Sequence, residues 1–318
     1  MTGKRWWLAL GALLAWTGAA QAQDDYPVRP VTVIVPQAPG GANDAVARIV
    51  MQRMSELMGR PFVIENRVGA GGNIGTAAAA KARADGYTLM LTTDSAHVVN
   101  PWLYQSAGFD PNKDFEAIAP VASAGFVLVA NPSFPAKTVR ELIEVAKARP
   151  GQISIASTGN HLIADMLARA AGIEFLHVTY KSAATSVTDV ASGQVALAVL
   201  SVPSSLGFIN SGRVKVLATV NAKRIAALPG VPTIGETVPG FGTTAWYGIL
   251  APAGTPKDIV ARLHAAIQAA LDSKDVRDKL AAQGCEVMKG TSAQFEALIR
   301  ADLGKWGKVV RDSGATLD

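Results

Sequence analysis

The sequence has few of the residues that build disulfide scaffolds or metal sites. Its 318 residues include one cysteine, Cys285, and four histidines. One cysteine cannot close an internal disulfide, and we expect Cys285 to be a small buried residue. The histidines never occur as a close pair, so their spacing gives no support to a metal site. We therefore expect neither a metal nor another cofactor.

The charge balance excludes another class of partner. Charged residues make up 17% of the chain, and the formal net charge is only +5. A protein that binds nucleic acid through its phosphates needs a much stronger basic excess. The composition therefore indicates no nucleic-acid partner.

Long apolar runs are confined to the N-terminus. Lys4 and Arg5 precede an apolar run from Trp6 to Ala20, and Ala20-Gln21-Ala22 follows it. This order predicts a secretory signal peptide over residues 1–22, cleaved before Gln23, although a buried N-terminal helix is the alternative. The run is shorter than the roughly 20 apolar residues that a membrane-spanning helix needs. We expect the mature protein to work outside the cytoplasm.

The remaining chain alternates between short apolar strands and amphipathic helices. A strand over Val31 to Val35 is followed by a helix that ends at Gly59, and a second series starts at Phe126. Such alternation predicts an α/β fold with parallel sheets covered on both faces. The length suggests two domains, and the lack of a flexible linker favours a hinged pair.

Three glycine-rich turns lie where a strand ends and a helix begins, at 36–44, 69–76 and 157–160. Glycine lets the backbone approach an anion, and the free N–H groups and dipole of the helix then hold it. Any one of these turns is explained as well by ordinary turn and cap chemistry. Together they predict a carboxylate or phosphate site.

A dinucleotide site is the competing interpretation of the second turn. Gly69, Gly71 and Gly75 follow a strand and open a helix, and Asp94 ends the next strand. The match is imperfect, because Ile74 stands where the third glycine of that fingerprint falls. The sequence contains neither a Gly-x-Ser-x-Gly elbow nor a phosphate-binding Gly-x-x-x-x-Gly-Lys loop. A secreted α/β enzyme is therefore the second hypothesis.

A set of motifs stands in the order found in one receptor family. They are Pro39-Gly40-Gly41 with Asp44 and Arg48, Glu65-Asn66-Arg67 before Gly69-Ala70-Gly71-Gly72, Asp85-Gly86-Tyr87-Thr88-Leu89, Pro150-Gly151, His177-Val178 with Tyr180-Lys181, Leu228-Pro229 with Val231-Pro232-Thr233, and Ala251-Pro252-Ala253-Gly254-Thr255-Pro256. In these motifs the chain resembles the Bug receptors, the periplasmic solute-binding proteins of tripartite tricarboxylate transporters.

The resemblance implies a type II periplasmic-binding-protein fold, in which two α/β lobes are joined by two crossover segments. Residues 23–123 and 247–318 would form lobe 1, and residues 124–246 would form lobe 2. It further implies a non-catalytic, monomeric receptor in the periplasm. Such a receptor binds a small carboxylate and serves the membrane components of the transporter, or a sensor.

The resemblance also assigns residues to the site. The first two turns would hold a ligand carboxylate between Gly40, Gly41, Ala42, Asn43 and Asp44 on one side and Ala70, Gly71, Gly72 and Asn73 on the other. The same cleft would be lined by Thr93, Asp94 and Ser95 from lobe 1 and, at its distal end, by Ser157, Thr158, Tyr180, Lys181, Ser182 and Ser201 from lobe 2. Tyr180 and Lys181 have simple alternatives, as a packed ring and a solvated charge. An aromatic acid, an amino acid, citrate and a straight-chain dicarboxylate all fit this description.

Overall fold

Two β-sheets with helices packed on them make up the structure. The computed structural model describes residues 26–157, 161–180 and 183–316. The predicted signal peptide and the site candidates Thr158, Lys181 and Ser182 lie outside the described residues. Within these three ranges, no helix is both long enough and apolar enough to cross a membrane.

Most of the elements follow the predicted alternation, but the strands at 115–124 and 126–130 follow each other without a helix between them. The strands are β1 Val31–Val35, β2 Phe62–Asn66, β3 Thr88–Thr93, β4 Phe115–Ala124, β5 Phe126–Ala130, β6 Ser154–Ser157, β7 Leu176–Thr179, β8 Leu197–Ser201, β9 Lys215–Thr219, β10 Ala245–Pro252 and β11 Cys285–Val287. The helices are α1 Ala42–Met58, α2 Asn73–Ala80, α3 Asn100–Leu103, α4 Val139–Ala148, α5 His161–Ala171, α6 Ala183–Ser192, α7 Val202–Asn210, α8 Lys257–Asp272, α9 Lys274–Ala282 and α10 Ser292–Ser313.

Both sheets are mixed, so the prediction of parallel sheets holds for only some of the strand pairs. The first sheet has the strand order β11-β4-β10-β3-β1-β2, and the second has the order β7-β6-β8-β5-β9. β10 pairs antiparallel with β3 and β4, and β5 pairs antiparallel with β8 and β9. The chain enters β5 from the first sheet and β10 from the second sheet. Each of these two strands is therefore antiparallel to neighbours that belong to local strand-helix-strand units. Hydrophobic periodicity carries no information about that direction.

Local signals place the ends of the elements as expected. The stripe of Val46, Val50 and Met54 buries one face of α1 completely, and Gly59 ends the helix in the left-handed conformation at φ 67°. Thr138 opens α4 by accepting a hydrogen bond from the Glu141 N–H. These helices thus begin and end where the sequence predicts.

Two segments connect the sheets, and they contact each other. β4 continues into β5 through Gly125, and residues 220–244 return from β9 to β10. Buried Asn221 accepts a hydrogen bond from the Phe126 N–H at 3.2 Å and donates one to Thr244 Oγ1 at 3.2 Å. A Cβ atom at Gly125 would lie only 3.0 Å from Asn221 Oδ1. The two crossovers are therefore held side by side at the junction of the sheets.

His97 is fully buried next to the first sheet, in an aromatic environment. Its ring centroid lies 5.0 Å from that of Phe115, 6.0 Å from that of Phe109 and 6.5 Å from that of Trp246. Within the described residues neither ring nitrogen has a hydrogen-bond partner. Burial lowers the pKa of His97 to about 3, and the nearby Pro111 carbonyl offsets this only in part. The ring is therefore neutral in the folded protein.

Replacing His97 with phenylalanine should weaken the pH dependence of stability. An unfolded histidine, with a pKa near 6.5, gains a proton as the pH falls, whereas folded His97 does not, so stability at this site is lost below about pH 6.5. Between pH 7 and pH 5 this loss amounts to about 2 kcal/mol. Urea unfolding at both pH values should show that His97→Phe gains about 2 kcal/mol relative to the parent on acidification. An identical pH slope in the two proteins would show that His97 is not held neutral.

Candidate functional site

The first glycine-rich turn is held in shape by a buried carboxylate. The Asp44 side chain, 5% exposed, accepts hydrogen bonds from the Gly40 N–H at 3.0 Å, from Arg48 Nε at 2.8 Å and from Asn66 Nδ2 at 3.0 Å. Burial alone would raise the pKa of Asp44, but these three hydrogen bonds outweigh it and lower the pKa to about 2. Asp44 therefore orients the turn, and its own oxygens are already occupied.

The start of α1 stays open to a ligand. Gly41 is the residue that precedes the helix, and no side chain in the described part of the chain caps the helix there. The first N–H groups of an α-helix have no partner inside the helix, so those of Ala42 and Asn43 are available to an acceptor. The Asn43 amide donates to the Gln37 side chain, which fixes Asn43 against the preceding turn.

The second turn has an unusual backbone. Gly69, Ala70, Gly71 and Gly72 all have positive φ, at 133°, 46°, 65° and 109°. Only glycine adopts this region readily, so the three glycines are required by conformation, and Ala70 is strained. Asn100 holds the turn in place, because its Nδ2 donates to the Gly71 carbonyl at 3.1 Å and to Asn73 Oδ1 at 2.9 Å.

The two turns lie against each other. Asn66, at the end of β2, donates through Nδ2 to the Gln37 carbonyl at 3.0 Å as well as to Asp44. A Cβ atom at Gly72 would lie 3.2 Å from Gln37 Nε2. The nine candidates of the first two turns are thus brought together at the carboxyl ends of β1 and β2, where ligands bind in open α/β sheets.

Each turn also contains a buried asparagine with an unsatisfied atom. Asn43 and Asn73 are both 4% exposed. Among the described residues, Asn43 Oδ1 and Asn73 Nδ2 have no hydrogen-bond partner. Unpaired buried polar atoms are costly, so such atoms mark places that a ligand or an ordered water completes.

The candidates after β3 lie at the junction of the two sheets. Thr93 and Ser95 are half-buried, whereas Asp94 is 4% exposed. Burial raises the pKa of Asp94 to about 7, against the opposing hydrogen bond from the Ser95 N–H. Asp94 and Ser95 line a cavity of about 20 Å³ together with Phe126 of β5, in the other sheet, and Leu162 of α5.

Two candidates from the second sheet have partners within the chain. The Tyr180 hydroxyl donates to Asp189 Oδ2 at 2.7 Å, and burial together with this bond raises the pKa of Tyr180 to about 12. Ser201 Oγ lies 2.9 Å from Ser204 Oγ at the start of α7. Tyr180 is therefore hydrogen-bonded to α6, and the Ser201 hydroxyl is hydrogen-bonded to that of Ser204.

Ser157 belongs to a relay that the sequence did not predict. Its Oγ lies 2.5 Å from His177 Nδ1, and His177 Nε2 lies 3.0 Å from Asp165 Oδ1. β6 and β7 pair in register with Ser157 opposite Thr179, which puts His177 two residues away on the same face. The alternation of residues along β7 could have indicated which face of the sheet His177 occupies. Only the register between β6 and β7 shows that this face also carries Ser157.

The described part of the chain contains no group of three or more His, Cys, Asp or Glu side chains arranged to hold a metal ion. The arrangement instead offers backbone N–H donors at the first two turns. Across the junction it offers hydroxyl groups from the second sheet. Donors of this kind suit a small anion with polar groups at its far end.

Comparison with known proteins identifies the group to which the molecule belongs. Residues 46–315 match the family model described as "Tripartite tricarboxylate transporter family receptor". The chain belongs to this family. The Protein BugT of Bordetella pertussis is 35% identical over 316 residues, which cover 97% of each chain. The predicted membership of the Bug receptors is confirmed, and the protein is a periplasmic solute-binding receptor of this family.

Solved structures give the same result for the fold. Rpa4515 of R. palustris with adipate superposes with a TM-score of 0.83 at 35% identity, over 92% of this chain and 100% of that one. MatC from Rhodopseudomonas palustris with bound malate superposes with a TM-score of 0.78 at 31% identity, over 90% of this chain and 100% of that one. The predicted type II periplasmic-binding fold is confirmed.

Replacing Asp44 with asparagine should destabilise the receptor. The change removes the charge on which three hydrogen bonds converge, so the free energy of unfolding at pH 7 should fall by about 1.5 to 3 kcal/mol. Because the folded pKa is depressed, the contribution is complete above an unfolded value near 4 and is lost as the pH falls toward 2. Urea unfolding at pH 7 measures it.

Asp278→Asn serves as the control, because the Asp278 side chain is 62% exposed and pairs with Lys274 on the surface. It should change stability by less than about 1 kcal/mol. Equal losses in the two variants would mean that Asp44 does not organise the turn.

Proposed function

We propose that the receptor captures a small carboxylate between its two α/β units and delivers it to the membrane components of a tripartite tricarboxylate transporter or to a sensor. It acts as a non-catalytic monomer without a cofactor. The lobes are residues 23–123 with 247–318, and residues 124–246. The observation that carries the proposal is the pair of adjoining glycine-rich turns with an uncapped helix start, in a chain of this receptor family.

The first carboxylate is held by the backbone. The positive charge of Arg48 is already matched by Asp44, so this side chain adds little net charge to the site. The N–H groups at the start of α1, the positive end of that helix and the strained turn at 69–73 then supply the attraction. Backbone donors fixed by buried hydrogen bonds need no rearrangement when the anion arrives.

The substrate class is a small dicarboxylate. Among the structural neighbours, Rpa4515 is described with adipate and MatC with malate. Both ligands carry a second carboxylate, which in this chain would reach the hydroxyl groups of Ser157 and Ser201. Thr158, Lys181 and Ser182, outside the described residues, would complete the distal end.

The dinucleotide interpretation is less well supported, because each residue behind it has another explanation. A Cβ atom at Gly75 would lie 2.5 Å from the Arg67 carbonyl and 2.8 Å from Pro36 Cα, so glycine there is required by packing. Asp94 is 4% exposed at the junction of the sheets, whereas the acid of a dinucleotide site must reach ribose hydroxyls. These observations favour the receptor.

Native mass spectrometry of the protein purified from its own host tests the proposal, since a trapped ligand reports its own mass. Calorimetry with malonate, succinate, glutarate, adipate, malate and citrate should give one-to-one binding to at least one acid, without turnover. Solution scattering should give a smaller radius of gyration when that acid is bound, because closure brings both lobes to the ligand. Chemical conversion of the bound acid would support the enzyme instead.

Gly71→Ala should weaken binding of the preferred acid by about tenfold to a hundredfold, through loss of one charge-assisted hydrogen bond. The new Cβ would lie 2.9 Å from Tyr104 Oη and 3.1 Å from Asn100 Nδ2, at a φ of 65°. The turn must therefore shift. Calorimetry on the folded variant measures the affinity.

Gly59→Ala is the matched control. Its φ of 67° gives the same backbone strain, but beyond its chain neighbours no atom of the described residues lies within 4 Å of the added Cβ, and the position ends α1 far along the chain from the turns. Both variants should lose stability by about 1 to 2 kcal/mol from strain. Only Gly71→Ala should lose affinity, and parent-like affinity in that variant would place the anion elsewhere.

A further inference from the structure

The relay of Ser157, His177 and Asp165 has a fixed order of donors and acceptors. An ionised carboxylate only accepts hydrogen bonds, so Asp165 Oδ1 at 3.0 Å requires the proton on His177 Nε2. In a neutral ring Nδ1 is then an acceptor. The Ser157 hydroxyl at 2.5 Å must therefore donate to it.

This order determines what Ser157 offers to a ligand. While His177 is neutral, the serine proton points to the ring, and Ser157 Oγ has only lone pairs left. A ligand hydroxyl or ammonium group can donate to those lone pairs, whereas a carboxylate faces an acceptor. The neutral relay therefore favours a donor at the distal end of the ligand.

Adding one proton to His177 reverses the order. Both ring nitrogens now carry hydrogen, so Nδ1 donates to Ser157 Oγ and Nε2 still donates to Asp165. The serine proton is released and can be donated to a ligand carboxylate. The proton comes from solvent, and no covalent bond is made or broken apart from this N–H bond.

We propose that His177 is a positioning residue that sets the distal specificity of the receptor, so that binding of a dicarboxylate takes up one proton at His177 while binding of an acid with a distal donor does not. The inference rests on the proposed function, since Ser157 is assigned there to the distal end of the cleft. It adds a residue that touches the ligand only through Ser157.

Charged groups around the relay are compatible with this exchange. On the elements around β7 they are His161, Asp165 and Arg169 of α5, Asp189 of α6, Glu174 before β7 and Asp312 of α10, while Lys181 follows β7 outside the described residues. Of the described groups, Asp165 contacts the His177 ring, and Asp189 is bonded to Tyr180.

The relay also has a route to solvent that does not pass through the ligand. Asp165 lines a cavity of about 420 Å³ between α5, the crossover at 239–241 and the end of α10. The His177 side chain is 34% exposed and that of Asp165 is 24% exposed. Water can therefore reach the relay from the side of this cavity.

Two probes of equal length but opposite distal groups test the proposal. Adipate carries a distal carboxylate, and 6-aminohexanoate carries a distal ammonium group. Calorimetry should show adipate binding about tenfold tighter at pH 6 than at pH 8, a change that one linked proton permits. The 6-aminohexanoate affinity should change in the opposite direction. Measurements in two buffers of different ionisation enthalpy should give uptake of up to one proton with adipate.

Variants separate the relay from a simple charge effect. Ser157→Ala should abolish the pH dependence of adipate binding, because the hydroxyl that passes on the change is gone, whereas Ser157→Thr should restore it. His177→Asn should also bind adipate without proton uptake. His264 of α8, whose Nε2 lies 2.9 Å from the Gly290 carbonyl, is the control histidine, and His264→Asn should behave like the parent. A pH dependence that persists in Ser157→Ala would overturn the relay in favour of direct attraction by the ring.

A measurement without ligand keeps the relay testable if neither probe binds. Nitrogen-15 NMR of the free receptor above pH 8 should show neutral His177 with its proton on Nε2, and Asp165→Asn should alter its titration. A proton on Nδ1 would overturn the inference. Binding of no acid in the panel together with the Nε2 form would instead contradict the proposed function and leave the relay order supported.

Discussion

The buried carboxylate of Asp44 is the interaction on which the site depends. It joins three parts of the chain, because Gly40 precedes α1, Arg48 lies one turn after Asp44 in that helix and Asn66 ends β2. One buried anion thus fixes the turn, the helix start and the neighbouring strand together. Since its charge is matched by Arg48, the N–H groups at the helix start remain the donors to which the proposed function assigns the ligand carboxylate.

The shape of the first turn limits the second. Gly72 lies against the Gln37 side chain, and Gln37 is itself fixed by Asn43 and Asn66. Contacts with the first turn and with Asn100 therefore hold the second turn in its conformation of successive positive φ angles. Such strain persists only where the surroundings determine the conformation, which is why it is concentrated at this site.

Much of the architecture was predictable from local signals. The strands β1 and β5 and the end of α1 at Gly59 follow from apolar periodicity and cap chemistry, and the burial of Cys285 is expected of a lone cysteine. The mixed sheets were not predictable, because strand direction depends on which sheet a strand comes from. The two crossover segments were predicted from the order of the family motifs, because hydrophobic periodicity does not show which sheet a strand joins.

The glycine-rich turns of the site could be predicted from the sequence, whereas the relay of Ser157, His177 and Asp165 could not. Glycine-rich turns before helices are visible in a sequence, because backbone donors need only the right local conformation. The relay on the second sheet joins residues from α5, β6 and β7, and Ser157 and His177 meet only through the register of two strands. No local pattern carries that register, so the spacing of the histidines along the sequence gave no indication of the pair.

This difference bears on how one fold accommodates several acids. Rpa4515 and MatC share the fold at 35% and 31% identity and are described with different dicarboxylates. A carboxylate held by main-chain N–H groups is insensitive to most substitutions, since every residue except proline provides the same donor. Side chains on the opposite lobe are free to vary while that grip is kept. On this division of roles, we expect selectivity to reside in hydroxyl groups whose protons are oriented by neighbouring side chains. The Ser157 hydroxyl beside His177 is the example in this chain. Rotating one such hydrogen exchanges a donor for an acceptor without altering the backbone.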